Sequence, residues 1–249
     1  MDQTERPVKA VVLAAGKGTR LHTEGCDIPK VMRLAAGRPL LTYVCDALDF
    51  IPKPQIILVV GYLREQVEAA FPGYGFAVQE QQLGTGHAVA SAADELRDFD
   101  GDVLVCCGDM PLIRRETYLA LTRQHTAQGN ACTMLTGTTD DALPYGRILR
   151  DERGNFRAIV EEKDCTPEQK AIRELNSGVY MFRAPELCRM LGQLRTDNAQ
   201  GEYYLTDVPA LMLKEGLPVG VCCRELGKEI LGVNTPEQLA EVGRLLAEE

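Results

Sequence analysis

Along this chain, apolar runs rich in β-branched residues alternate with amphipathic stretches. The runs Lys9–Ala15, Gln55–Val60, Phe76–Gln79 and Asp102–Cys107 predict strands. Helices are predicted near Pro39–Asp49, Leu63–Phe71, Thr85–Leu96 and Arg115–His125. Strands that are apolar throughout and separated by helices predict a parallel sheet covered on both faces, an open α/β sandwich. After Ala131 the pattern changes. Shorter candidates, Cys132–Gly137, Gly146–Arg150 and Phe156–Glu161, lie among turn signals such as Asp151-Glu152-Arg153-Gly154 and predict a β-rich lobe. Thr166–Gln169 and Thr235–Gln238 both read Thr-Pro-Glu-Gln, a capping box with proline at the first helical position, so a helix starts at each. No Pro/Gly/Ser-rich linker, repeat or low-complexity segment interrupts the chain, which predicts a single domain over residues 1–249.

Composition narrows the partners. Lys and Arg number 27 against 36 Asp and Glu, and the net charge of −9 repels a nucleic-acid backbone while leaving room for a free nucleotide in a local basic pocket. The N-terminus MDQTERPVKA has no apolar core of signal-peptide length. No later run approaches the roughly 20 apolar residues of a membrane span, so a cytoplasmic protein without a membrane partner is expected. Nine cysteines, an odd number, include the adjacent pairs Cys106-Cys107 and Cys222-Cys223 in apolar runs, and they read as buried thiols. There is no C-x-x-C, and His22, His87 and His125 lack metal-motif spacing, which argues against a structural zinc site.

The candidate chemistry begins at Val11–Lys30, where an apolar strand breaks into a glycine-rich loop carrying Lys17, Arg20 and Lys30. Gly16 and Gly18 leave backbone N–H groups free to turn onto anionic oxygens, which suits a polyphosphate. The loop is not G-x-G-x-x-G, because Leu21 holds the third glycine position, and it is not a Walker A loop. Further on, Gln79–Ala88 combines amide side chains with glycines at a helix start, types that suit a pyrimidine edge and that also make an ordinary cap. Val105–Leu112 ends an apolar strand in Gly108-Asp109, and a carboxylate at a strand's carboxyl end can hold Mg²⁺ against phosphates. Tyr145–Ile148, Val160–Asp164 and Glu174–Val179 offer Gly146, Glu161 and Asn176, the residue types that meet sugar hydroxyls. Finally come Gln200–Asp207 and Gly232–Asn234, where Asn234 supplies a neutral oxygen able to complete a metal shell opposite Asp109.

Together, G-x-G-T-R with Pro29-Lys30, Q-L-G-T-G-H-A and Q-G-E-Y-Y-L-T-D resemble the sugar-1-phosphate nucleotidyltransferases over nearly the whole chain. The two longer strings point within them to N-acetylglucosamine-1-phosphate uridylyltransferase domains. The resemblance implies a Rossmann-like three-layer sandwich with a mostly parallel mixed sheet and a small β-rich sugar-binding lobe. Residues 1–130 would bind the nucleotide, 131–230 the sugar, and 235–249 would form a C-terminal helix. It implies roles as well. Leu13, Ala14, Gly16 and Gly18 would line the nucleotide, Arg20 and Lys30 would contact phosphates as the catalytic cations, and Gln79 with Gly84 would read uracil. Thr85, Gly146, Glu161 and Asn176 would hold the sugar, and Asp109 with Asn234 would bind Mg²⁺. UTP and a sugar 1-phosphate are the implied partners.

The chain departs from the family pattern in three places. Leu21–Ile28 is longer than the usual connection by about three residues, a change surface loops tolerate. Cys107 stands where a tyrosine is expected. The chain ends at Glu249 after a helix, so acetyl transfer and trimerisation through a β-helix acetyltransferase half are not carried over. The expected reaction is uridylyl transfer. The alternatives are another sugar 1-phosphate or nucleotide, and a non-catalytic nucleotide-sugar sensor.

Overall fold

Residues 6–21, 27–139 and 143–248 are described by a computed structural model. The first half of the chain builds β1 (Val8–Leu13), a minimal hairpin of β2 (Leu34–Ala35) and β3 (Arg38–Pro39), α1 (Leu40–Ala47), β4 (Ile56–Val60) and α2 (Arg64–Ala70). Then follow β5 (Gly75–Val78), α3 (Thr85–Ala90), α4 (Ala93–Leu96), β6 (Asp102–Cys107) and α5 (Arg115–Gln128). The second half adds β7 (Cys132–Thr138), β8 (Arg147–Arg150), β9 (Phe156–Val160), α6 (Pro167–Lys170) and β10 (Glu174–Arg183). It closes with α7 (Ala184–Leu191), α8 (Val208–Lys214), β11 (Val219–Arg224) and α9 (Pro236–Ala247).

The main sheet has the order β11-β7-β10-β6-β1-β4-β5. Its pairs are parallel except at β10, which is antiparallel to both β6 and β7. This is the mostly parallel mixed sheet that the resemblance implied; the apolar pattern predicted its parallel part and not the antiparallel β10. Alternation along each strand sends Ala10, Val12, Leu58 and Leu104 to one face, against Leu41 and Val44 of α1 and Leu121 of α5. Val11, Ile57, Val59 and Val105 go to the other face, against Val89 of α3, Leu187 of α7 and Val208 of α8. With both faces covered, neither set of alternate positions can be polar, so the strands read as unbroken apolar runs. A third cluster, including Leu40, Leu112, Val233 and Val242, seats α9 against the β2–β3 region.

Three local expectations change. The predicted helix Thr85–Leu96 is two helices, because Ser91 turns its hydroxyl back onto His87 O at 3.0 Å and Ala92 takes φ −94°, ψ 9°, off the helical track. Cys132–Thr138 is an interior strand of the main sheet, flanked by β10 and β11, which leaves β8–β9 as the lobe. That hairpin joins the sheet through the pairing of Arg147 with Leu175 on β10. Cys223 lies at the exposed end of β11 and Cys107, Cys165 and Cys188 are half-buried, whereas Cys45, Cys106, Cys132 and Cys222 are buried; Cys26 lies outside the described residues. Both capping boxes form. No helix among the described residues is long and apolar enough to cross a membrane.

The topology sets the position of the site. From β1 the chain runs outward through β4 and β5, then returns to place β6 on β1's other side. The carboxyl ends of β1 and β6 therefore flank a point where the winding reverses, the crevice in which open α/β sheets bind ligands.

Candidate active site

Two adjoining cavities of about 220 and 260 Å³ open at that crevice and share Leu13, Thr85, Cys107 and Asp109, so they are halves of one cleft. One half is bounded by Gly16, Lys30, Gln79, Gln82, Gly84 and Glu202. The other is bounded by Tyr145, Gly146, Glu161, Asn176, Thr206 and Asn234.

At the seam stand the charged residues. Gly108 N donates to Leu13 O at 2.9 Å, extending the β1–β6 ladder and bringing Asp109 to the end of it. Lys30 Nζ forms an ion pair with Asp109 Oδ2 and donates to Asn234 Oδ1 at 2.8 Å. Arg20 reaches the same Asn234 oxygen at 3.3 Å. Lys30 owes its seat to Gly18: that glycine has φ +64°, and a Cβ there would fall 2.8 Å from Lys30 Cβ. Residues 22–26 of the long connection lie outside the described residues, but Arg20 and Lys30 on either side both arrive at the seam.

Asn234 is aimed by the capping box of α9. Gln238 Oε1 accepts the N–H groups of Asn234 at 2.7 Å and Thr235 at 3.1 Å. The Thr-Pro-Glu-Gln string is therefore more than a helix start. Asp109 and Asn234 present a carboxylate and an amide oxygen to a single cation, the hard-oxygen donor chemistry that suits Mg²⁺. Among the described residues no group of three or more His, Cys, Asp and Glu gathers as a metal site, so such an ion would complete its shell with substrate oxygens and water.

The two longest strings of the sequence pack on each other. Tyr203 N donates to Leu83 O, and Gly86 N to Tyr203 O, both at 2.8 Å. Leu205 N donates to Thr85 Oγ1 at 3.1 Å. Gly84 sits inside this crossing at φ +108°, where a Cβ would be 2.5 Å from Tyr203 O. Gln79 is buried, and its amide nitrogen lies 3.2 Å from Gly84 O and 3.1 Å from His87 Nδ1. Its donors thus fix the loop that carries Gly84.

In the other half, the Ser177-Gly178 bulge of β10 interrupts pairing with β7 immediately after Asn176. Asn176 Nδ2 donates to Tyr180 OH at 2.7 Å, while Asn176 Oδ1 is buried without a partner. A buried orphan acceptor on a cleft wall is an open position for a ligand hydroxyl. Gly146 faces Ile159, whose Cγ2 would lie 2.8 Å from an added Cβ. Thr206 donates its hydroxyl to Glu161 Oε1 at 3.0 Å. Burial pushes the Glu161 carboxyl up, the Thr206 bond opposes this, and Asp164, Asp207 and Glu202 add to the rise. Tyr145 OH accepts Gly232 N–H at 2.8 Å, and burial raises its phenol to about 12, so it stays protonated. Burial, with Asp109 adding, likewise holds Cys107 as a thiol at about 12.

A model of the MobA-like NTP transferase domain matches residues 10–201. The chain belongs to this family. Among curated relatives, the bifunctional protein GlmU of Pelotomaculum thermopropionicum is 45% identical over 238 residues, 95% of this chain and 51% of that protein. The bifunctional protein GlmU of Streptomyces avermitilis is 46% identical over 247 residues, 97% of this chain and 51% of that protein. This NTP transferase domain thus spans about half the length of the curated relatives it matches. A solved structure from Bacillus anthracis, assigned as a glucose-1-phosphate thymidylyltransferase and in complex with a sucrose, superposes with TM-score 0.74 at 18% identity. The match covers 97% of this chain and 96% of that one, and it shows a shared fold.

Within the family fold, twelve of the fourteen expected site residues line the cleft or bond to its seam: Leu13, Gly16, Arg20, Lys30, Gln79, Gly84, Thr85, Asp109, Gly146, Glu161, Asn176 and Asn234. Gly18 packs against Lys30, which lines the cleft, and serves the site through that contact. Ala14 differs, because its side chain is buried in the core and its N–H is bonded to Val59 O at 2.9 Å. Tyr145, Tyr180 and Thr206 also line the cleft without having been singled out. Tyr145 and Thr206 stand inside the candidate segments Tyr145–Ile148 and Gln200–Asp207; Tyr180 carries no signal, as a tyrosine in a strand reads as core.

Proposed function

We propose that this domain transfers the uridylyl group of UTP to N-acetylglucosamine 1-phosphate, giving UDP-N-acetylglucosamine and pyrophosphate. The observation that carries the reading is the convergence of Arg20, Lys30, Asp109 and Asn234 at the seam of a two-part cleft. A nucleotide in the half bounded by Gly16, Gln79 and Gly84, and a sugar phosphate in the half bounded by Gly146, Glu161 and Asn176, would bring both phosphates to that seam. The Q-L-G-T-G-H-A and Q-G-E-Y-Y-L-T-D strings support the choice of uridine nucleotide and acetylated sugar.

An anionic oxygen of the sugar phosphate attacks the α-phosphorus of UTP in line. A new P–O bond forms as the bond to the α,β-bridging oxygen breaks, and pyrophosphate leaves with that electron pair. The attacking phosphate is already ionised at neutral pH, so no side chain has to remove a proton. The work left to the protein is to hold two anions together and offset charge at the α-phosphoryl group. Arg20 and Lys30 supply fixed positive charge there. Asp109 and Asn234 would hold Mg²⁺, which when bound neutralises phosphate oxygens. Gln79 fixes Gly84 beneath the base, and Glu161 with Asn176 Oδ1 accepts sugar hydroxyls. The substrate choice is tested by comparing kcat/KM for N-acetylglucosamine 1-phosphate, glucose 1-phosphate and glucosamine 1-phosphate with UTP. Preference for the acetylated sugar is expected; preference for either other sugar would keep the chemistry and replace the substrate.

A further inference from the structure

We infer that Thr206 is a positioning residue for Glu161: its hydroxyl fixes one carboxylate oxygen and leaves the second to a sugar hydroxyl. The inference rests on the reading of Glu161 as a sugar-binding residue given above. The two residues come from different parts of the chain. Glu161 directly follows β9, and Thr206 sits in the turn Leu205–Asp207 that leads into α8. Both line the cleft, Thr206 is buried, and the bond between them is 3.0 Å. A threonine hydroxyl can turn either way, but against a carboxylate oxygen only donation is favourable, and donation to an ionised acceptor is the stronger class of hydrogen bond.

The surroundings explain why a donor is needed. Asp164 from the turn after β9, Asp207 beside Thr206 and Glu202 from the preceding segment all disfavour a negative charge on Glu161, as does burial. Tyr180 of β10, Cys107 at the end of β6, Tyr204 and Cys165 also interact with it, and burial holds each of them neutral. The Thr206 bond opposes these effects and favours the ionised form. Without it, protonation would turn an oxygen that accepts from the sugar into a hydroxyl that competes with it.

The test uses Thr206→Val, which removes the hydroxyl at nearly constant volume, and Thr206→Ser, which keeps it. In ligand-free protein with ¹³C-labelled glutamate, the Glu161 carboxyl signal, assigned through Glu161→Gln, is titrated by NMR. In Thr206→Val it should titrate about one pH unit above wild type, the size of one hydrogen bond to a charged group, and in Thr206→Ser at the wild-type position. An unmoved titration, or equal movement in both variants, overturns the inference. In turnover, the acid-side rise in KM for N-acetylglucosamine 1-phosphate should shift up by about one pH unit in Thr206→Val, or about tenfold in KM on that limb. The value of kcat at saturation should stay within about twofold, and serine should restore the profile. A fall in kcat with an unchanged pH profile marks a merely structural role and overturns it. Wild-type protein inactive with this sugar would sink the substrate reading, while the carboxyl titration would still decide the Thr206–Glu161 relationship. Should Thr206→Val fail to fold, Thr206→Ala carries the same expectations.

Discussion

The backbone N–H of Val233 donates to the carbonyl oxygen of Asp109 at 2.9 Å. This bond ties the loop after β6 to the segment before α9 and sets the Asp109 carboxylate beside the Asn234 amide at the mouth of β1. The side chain of Asp109 takes no part in it, so that side chain can be changed without undoing the junction. Asp109→Ala is therefore expected to fold, with melting close to wild type, and to lose on the order of a hundredfold or more in kcat. Steady-state kinetics across a Mg²⁺ series checks this. Full activity at ordinary Mg²⁺ would remove Asp109 from the metal role.

Lys30 and Arg20 both reach Asn234, yet they differ in depth. Lys30 is largely enclosed and paired with Asp109, whereas Arg20 is exposed. Lys30→Ala is expected to lower kcat and kcat/KM together by about a hundredfold, the pattern of an interaction realised in the transition state. Arg20→Ala is expected to cost less, about tenfold, with part of the loss in KM for UTP. Wild-type kcat in both variants would show that these cations only bind.

Gly84 is the more tightly packed of the two glycines, Gly16 and Gly84, that line the nucleotide half of the cleft. A methyl there would meet Tyr203 O at 2.5 Å with the backbone at φ +108°. Gly84→Ala is expected to destabilise the protein by about 1–3 kcal/mol and to raise the KM for UTP, because the loop held by Gln79 must move. Thermal melting and UTP titration measure the two effects. An unchanged Tm would contradict the crossing of the two strings.

Glu161 gives a stability prediction with a definite sign. Its folded carboxyl is raised above the unfolded value, chiefly by burial. The ionised form is thus disfavoured in the fold. That cost is fully present above the folded pKa and vanishes as pH falls below the unfolded one. Glu161→Gln is expected to raise Tm at neutral pH, with the advantage shrinking as the solution is acidified through the carboxylate range. Each kcal/mol gained would appear as about 2–4 °C. The same variant should weaken sugar binding, so stability and function would move in opposite directions. A neutral-pH Tm below wild type would contradict the account.

The parallel half of the fold was legible because burial on both faces leaves one kind of residue to choose, as in Ile56–Val60, where all five positions are buried. The sheet beyond β6 was less so. β7 looked like part of a lobe because its neighbours β10 and β11 lie far along the chain, and pairing between distant segments leaves no local periodicity. The seam of the site was readable from Arg20, Lys30, Asp109 and Asn234 because the strings that hold them resemble a known family; alone, a charged or amide side chain at a strand end or loop tip is an ordinary turn residue. Ala14 was not, since its place beside the loop glycines says nothing about which way its side chain points. The capping box at Thr235 was visible, but its hold on Asn234 through Gln238 depends on the rotamer of one glutamine.

The most direct measurement is pyrophosphate release by the purified protein with Mg²⁺, UTP and N-acetylglucosamine 1-phosphate, with UDP-N-acetylglucosamine followed in parallel. Metal-dependent release of one pyrophosphate per nucleotide sugar formed is expected, absent when either substrate is omitted. UTP binding with no pyrophosphate from this or any other sugar 1-phosphate would contradict it and leave a nucleotide-binding domain without transfer activity.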